Sequence, residues 1–361
     1  MKTIISILFV CISFVGFGQD SIKPNTNPLT ITGYLEAYYG FDFSEPVSNT
    51  RPSFLYSHNR HNEFNLNLGF IKADYNQDRV RANLAIAAGT YMNANYAAEP
   101  GVLKNILEAN AGYKLSNKKN IWFDIGILPS HIGFESAIGK DNWALTRSLV
   151  AENSPYFESG ARLGYTSDNG KLSVSALALN GWQRITKVEG NSMMSWGSQI
   201  TVKPGSKLSL NYSTFFGTDK PDSARLFRTY HNVYGIYQLT SKFGLTAGFD
   251  IGTEEKSVSD NSVNTWYTPV LIARLTPSQK WAFSVRGEYF KDENGVIIST
   301  GTPNGFETVS LSANIDFIPI PNAMIRLEFR NLNNGDRIFV DKDGIGQRSN
   351  SAVTLAAAVS F

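Results

Sequence analysis

Metal binding and catalysis need side chains that ligate, attack or move protons, and this sequence gathers few of them. Its four histidines are His58, His61, His131 and His231. His58-Asn59-Arg60-His61 could bring two imidazoles to one metal, but no carboxylate or cysteine completes the set. These two read as exposed loop histidines. None of the four stands in an HExxH or nucleophile-elbow context. Asp341-Lys342-Asp343-Gly344-Ile345-Gly346 begins like a calcium loop, yet Ile345 occupies a ligand position and no glutamate closes it. It reads as a turn. The expectation is no catalytic set, no metal and no cofactor.

What the sequence does gather is charge. Glu135, Lys140, Asp141, Arg147 and Glu152 fall within one stretch, 129–157. Further on, Arg286, Glu288, Arg326, Glu328 and Arg330 alternate with apolar residues. Within the first stretch, 140–150 predicts a short helix with Asp141 as its N-cap. Over the chain, Lys+Arg and Asp+Glu nearly balance at 33 and 31, so no strong field would attract nucleic acid.

The elements that would position these charges are strands. Aromatics reach 12%, glycine is frequent, and no run of about 18 apolar residues follows the N-terminal segment. Segments of roughly ten residues with apolar alternation repeat to the last residue, the length a tilted membrane strand needs. About sixteen are expected: 30–42, 62–75, 78–90, 105–116, 120–128, 158–167, 170–180, 193–203, 206–216, 229–239, 242–252, 263–275, 280–290, 306–317, 322–332 and 351–361. Tight connections such as Asn76-Gln77, Asp168-Asn169 and Pro204-Gly205 alternate with long ones at 43–61, 91–104, 129–157, 181–192, 217–228, 253–262, 291–305 and 333–350. That alternation is the habit of an up-and-down barrel in an outer membrane, with short periplasmic turns and long external loops.

Faces separate cleanly. Ala323, Ile325, Leu327 and Phe329 oppose Met324, Arg326, Glu328 and Arg330, and Trp281, Phe283 and Val285 oppose Ser284, Arg286 and Glu288. A soluble sandwich would show the same alternation. Aromatics near strand ends (Tyr39, Phe41, Phe216, Trp281, Phe317) and the terminal Phe361 favour a lipid-facing barrel, whose closure leaves no edge in the bilayer. Other charges expected on the lumen side are Glu36, Arg81, Glu108, Lys114, Asp124, Arg162, Asp250, Arg274 and Asp316. Their signs are mixed, and no net selectivity can be read.

The first residues point to export. Met1-Lys2, the apolar run from Ile4 to Val15 and Gly16-Phe17-Gly18 read as a signal peptide over 1–18. The single cysteine, Cys11, lies in that run, and Val10 before it is too bulky for a lipoprotein signal. Residues 19–29 read as a flexible lead-in and 30–361 as one barrel domain.

Gly126-Ile-Leu-Pro-Ser-His-Ile-Gly-Phe-Glu135, with Asn142-Trp143, Thr146-Arg147-Ser148, Pro155-Tyr156 and Glu158-Ser-Gly160, resembles the OmpL-like β-barrel porins common in Bacteroidetes outer membranes. The resemblance implies a channel without naming a solute, and Phe361 looks like the terminal signal read by the barrel-assembly machinery. In a porin, 129–157 would narrow the lumen, its charges facing Arg286, Glu288, Arg326, Glu328 and Arg330 on the wall. The expected partners are outer-membrane lipid, that assembly machinery, small hydrophilic solutes and a second copy of the chain. The competing expectation is a plugged barrel that binds partners through its external loops.

Overall fold

The computed structural model describes residues 27–361; the expected signal peptide and most of the lead-in lie outside them. Strands carry the chain: β1 (Leu29–Asp42), β2 (Glu63–Gln77), β3 (Val80–Ala88), β4 (Ile106–Lys114), β5 (Asn120–Pro129), β6 (Phe157–Thr166), β7 (Leu172–Leu179), β8 (Ser195–Gly205) and β9 (Leu208–Gly217). They continue with β10 (Arg228–Gln238), β11 (Phe243–Ser257), β12 (Asp260–Ser278), β13 (Trp281–Asp292), β14 (Phe306–Ile320), β15 (Ala323–Asn334) and β18 (Ser349–Ser360). A two-stranded hairpin, β16 (Phe339–Val340) with β17 (Gly346–Gln347), sits in the last long connection. Among the described residues, two short α-helices, α1 (Thr90–Asn95) and α2 (Leu149–Glu152), and three 3-10 turns complete the set.

Every large strand pairs antiparallel with its neighbours, and β1 pairs with β18, so the sheet is a closed 16-stranded barrel. Closure satisfies every strand edge internally, which a sheet in hydrocarbon requires. The final residue belongs to the closing seam: Gly33 N–H donates to the Phe361 carbonyl at 2.8 Å and Phe361 N–H returns the bond at 3.0 Å. A Cβ at Gly33 would lie 2.3 Å from the Phe361 ring, so glycine is what lets that ring lie across β1.

The outer surface is apolar and the inner one polar. Leu311 and Val285 are 63% and 57% exposed, while Ser312 and Arg286, next to them in sequence, are at 6% and 2%. A water-soluble barrel reverses that pattern; an apolar outer band is what lipid demands. The packed core therefore lies inside the barrel. One apolar cluster joins Phe54 and Leu55 from connection 43–62, and Ile132 and Leu149 from connection 130–156, to inward Phe215, Trp266 and Phe290. A second collects Tyr91, Met92 and Tyr96 of the α1 region against Tyr34, Leu68 and Phe157.

Three expected boundaries are corrected, one of them the β8–β9 turn, which falls at Ser206-Lys207 rather than Pro204-Gly205 because Gly205 still pairs with Leu208. The β2–β3 turn falls at Asp78-Arg79 rather than Asn76-Gln77, because Gln77 still pairs with Val80 and Asp78 takes a positive φ of 53°. Residues 253–262 are not a long loop: the β11–β12 ladder runs on until Ser257 pairs with Asp260. The polar run there suggested a connection, whereas strands that project past the bilayer need no apolar face.

Candidate functional site

The connection from β5 to β6 runs inside the barrel. Its entry is fixed by His131, whose Nδ1 lies 2.8 Å from Glu158 Oε1 and whose Nε2 lies 2.8 Å from the Thr214 carbonyl. With Glu158 ionised both partners accept, an arrangement that favours the doubly protonated ring. Burial alone would lower the His131 pKa; the Glu158 carboxylate outweighs it and holds the pKa raised. The His131 carbonyl accepts from Gln199 Nε2 and Ser213 Oγ, and Asn232 Oδ1 accepts the Gly133 N–H at 3.2 Å. The segment thus crosses the β8–β10 wall first.

It then turns across the lumen. On the inner face of β11, a Cβ at Gly244 would meet the Trp143 ring at 2.7 Å and one at Gly248 would meet the Phe134 ring at 2.9 Å. Gly139 passes so close to β1 that a Cβ would lie 1.8 Å from Glu36 Oε2. Lys140 donates from its backbone to Tyr34 Oη and from Nζ to Ser360 Oγ at 2.9 Å. Three glycines remove the side chains that would block this path.

The opposite wall holds the segment with charge. Arg326 donates from Nη1 to the Gly139 carbonyl and from Nη2 to those of Asn142 and Trp143, while Asp316 Oδ1 accepts its Nε at 2.7 Å. Arg286 donates to the Thr146 carbonyl at 2.6 Å, and Glu328 accepts Thr146 N–H at 2.8 Å together with its hydroxyl. Arg330 reaches over β14 to Glu288 at 2.7 Å and also donates to the Arg147 carbonyl. The register places Ser312 between Arg286 and Arg330, and that small residue leaves room for both. Glu288 accepts the first free N–H of α2, from Leu149.

Within the segment, Arg147 donates to the carbonyls of Leu145, Ser136 and Ala137, and Glu135 accepts the Ser148 N–H at 3.0 Å and its hydroxyl. Glu152 accepts N–H groups from Tyr56 and Ser57, tying this segment to connection 43–62. Burial pushes the Glu135 pKa up and that of Glu152 to about 7, against the pull of Arg147 and Arg330 on the latter.

The structure brings Glu135, Lys140, Asp141, Arg147, Glu152, Arg286, Glu288, Arg326, Glu328 and Arg330 onto or against one inward segment. Most of these charges are wholly buried; Lys140 and Asp141 keep partial exposure. Asp141 does not cap a helix: Gly139–Asp141 is a 3-10 turn, and the helix begins later with Ser148, whose Oγ accepts the Ala151 N–H. His58 and His61 are not exposed either. His58 Nε2 lies 2.6 Å from Glu36 Oε1, and His61 Nδ1 accepts the Asp42 N–H. An inward-folding loop buries polar residues that a loop in solvent would expose, and composition alone does not distinguish the two.

The family described as "Putative beta-barrel porin-2, OmpL-like" matches residues 28–361. The chain belongs to that family. The fold of this OmpL-like porin is shared by solved outer-membrane proteins at very low identity. OmpT of Vibrio cholerae is 11% identical with a TM-score of 0.57, over 92% of this chain and 97% of that one. An anion-selective porin from Comamonas acidovorans is 9% identical with a TM-score of 0.60, over 92% and 99%. The outer membrane channel DcaP of Acinetobacter baumannii is 10% identical with a TM-score of 0.58, over 92% and 97%. No curated protein sequence matches the chain.

Proposed function

We propose that this OmpL-like porin conducts small hydrophilic solutes or ions passively, through a lumen that the 130–156 segment narrows to one side. The reading rests on an asymmetry of the inner wall. Side chains of Arg286, Arg326 and Arg330 are 0–2% exposed. On the β2–β6 wall, Lys72, Arg81 and Arg162 point inward and keep 26%, 31% and 31%. The buried set then acts as the seat of the segment, and water and solute pass along the other side. Charges lining that passage set its field. In the same proposal the chain is exported with loss of 1–18, inserted through its C-terminal strand and Phe361, surrounded by outer-membrane lipid, and assembled with further copies of itself. It has no catalytic role.

A second reading is favoured by the apolar clusters toward the loop end: a barrel closed by its own loops that binds partners outside. Planar-bilayer recording of the refolded protein separates them. Steady single-channel steps support the conducting reading, and a silent but fully folded barrel supports the closed one.

A further inference from the structure

Four strands of the partly open wall carry an aligned polar row. Arg81 of β3 faces Gly112 of β4, Gly112 faces Asp124 of β5, and Asp124 faces Arg162 of β6. A Cβ at Gly112 would lie 2.2 Å from Asp124 Oδ1 and 3.1 Å from Arg81 Nε. Only glycine there lets the two side chains meet across β4.

Arg81 grips both oxygens of Asp124 at 2.7 Å from Nε and Nη2, with its guanidinium 4.2 Å from the Trp122 ring. Arg162 adds longer bonds from Nε and Nη2 to Asp124 Oδ2, at 3.3 and 3.2 Å. One carboxylate needs one such fork, so the second guanidinium is surplus to pairing. Asp124 is 1% exposed while each arginine keeps 31%, so the lumen meets two cations and almost none of the anion between them. The bonds described leave Nη1 of both arginines unused. Nearby inward charges are Lys114, two residues along β4 from Gly112, and Lys72 with Asp74 and Glu108, which bind one another farther along the wall.

We propose that Arg81 and Arg162, held in place by Asp124, form an anion subsite in the channel that takes a small oxyanion, a carboxylate or a phosphate. Planar guanidiniums held rigid and half-hydrated suit such groups better than flexible lysines. The inference rests on the reading that this side of the lumen is open to water.

The test uses the full folded chain with inorganic phosphate as probe and succinate as the carboxylate counterpart. Calorimetric titration in detergent should show saturable phosphate binding, weakened about tenfold or more by Arg81→Gln or Arg162→Gln. In bilayers, the double variant should shift the reversal potential in a KCl gradient toward cation preference. Arg225→Gln, on an external connection, should do neither. No saturable phosphate signal in the wild type, or equal binding by the double variant, overturns the subsite. Phosphate binding without any conductance keeps the subsite and overturns the conducting reading. Heat-modifiable migration reports folding. Should Arg81→Gln not fold, Arg162→Gln carries the test, because the closer Arg81–Asp124 fork remains in that variant.

Discussion

Single residues in this barrel answer to two solvents. Leu327 stands on the lipid face of β15, 45% exposed, and its neighbours Arg326 and Glu328 are wholly buried inside. Leu327→Arg should cost about 2–4 kcal/mol near mid-strand. Ser175, inward on β7 beside Gly164 where the wall has open space, should accept arginine within about 0.5 kcal/mol. Equilibrium unfolding in urea, followed by heat-modifiable migration, compares the two, and equal losses would reverse the assignment of faces. Ser312→Arg is different, because Arg286 and Arg330 already fill the space beside Ser312; it should destabilise although it also points inward. The face of each residue was legible from period-two alternation. Which inward residues meet water and which meet protein was not, since that depends on where a distant loop lies.

At the scale of elements, the 130–156 segment behaves as a packed insert held by charge. Removing Arg326 and Arg330 together leaves Asp316 with Arg274 and Glu288 with Arg286 as remaining partners, so the loss per broken pair stays below the roughly 3–5 kcal/mol of an uncompensated buried charge, while the bonds from both arginines to the segment's carbonyls are lost. The double alanine variant should therefore unseat the segment and raise single-channel conductance, beyond a change in ion preference alone. Unchanged conductance would mean that the segment is held by its apolar contacts. Glu152 gives the seat a pH dependence. Its pKa rises from 4.5 to about 7 on burial, so between those values the seated form binds more protons than the released one. Stability of the seat is greatest at or below about pH 4.5, falls as pH climbs toward 7, and levels above it. Amide exchange over 140–152, corrected for intrinsic rates, should be faster at pH 8 than at pH 5.5, and Glu152→Gln should reduce the difference, the remainder belonging to Glu135 and His131, whose pKa values are raised in the same direction. A slope of opposite sign would exclude Glu152 as the titrating group.

The strands and their order were legible because lipid imposes length and period together. The helix start was misplaced at Asp141; the structure caps the helix with Ser148, and the Glu288 contact at the Leu149 N–H, from a strand far along the chain, accompanies that later start. The row Arg81–Gly112–Asp124–Arg162 was visible only as scattered charges of mixed sign, for no sequence spacing announces a register across four strands. The burial of His58 and His61 was missed for a similar reason: their partners, Glu36 and the Asp42 N–H, lie on a strand some twenty residues away.

For the whole molecule, an apolar outer band, full closure and family membership make an outer-membrane porin, and the proposal adds that its lumen is eccentric. A barrel of sixteen strands is wide enough to leave an aqueous channel when empty, so the inward segment decides how much remains. Deleting residues 138–150, which include Trp143, Thr146 and Arg147, removes the part that spans to β12–β15 while both ends of the connection stay anchored. The direct measurement is single-channel conductance of the refolded wild type and of this deletion, side by side in the same bilayer and salt. Small steady steps in the wild type and several-fold larger ones in the deletion are the expected result. Equal conductance in the two, or silence in both from fully folded barrels, would contradict a passage narrowed by this segment.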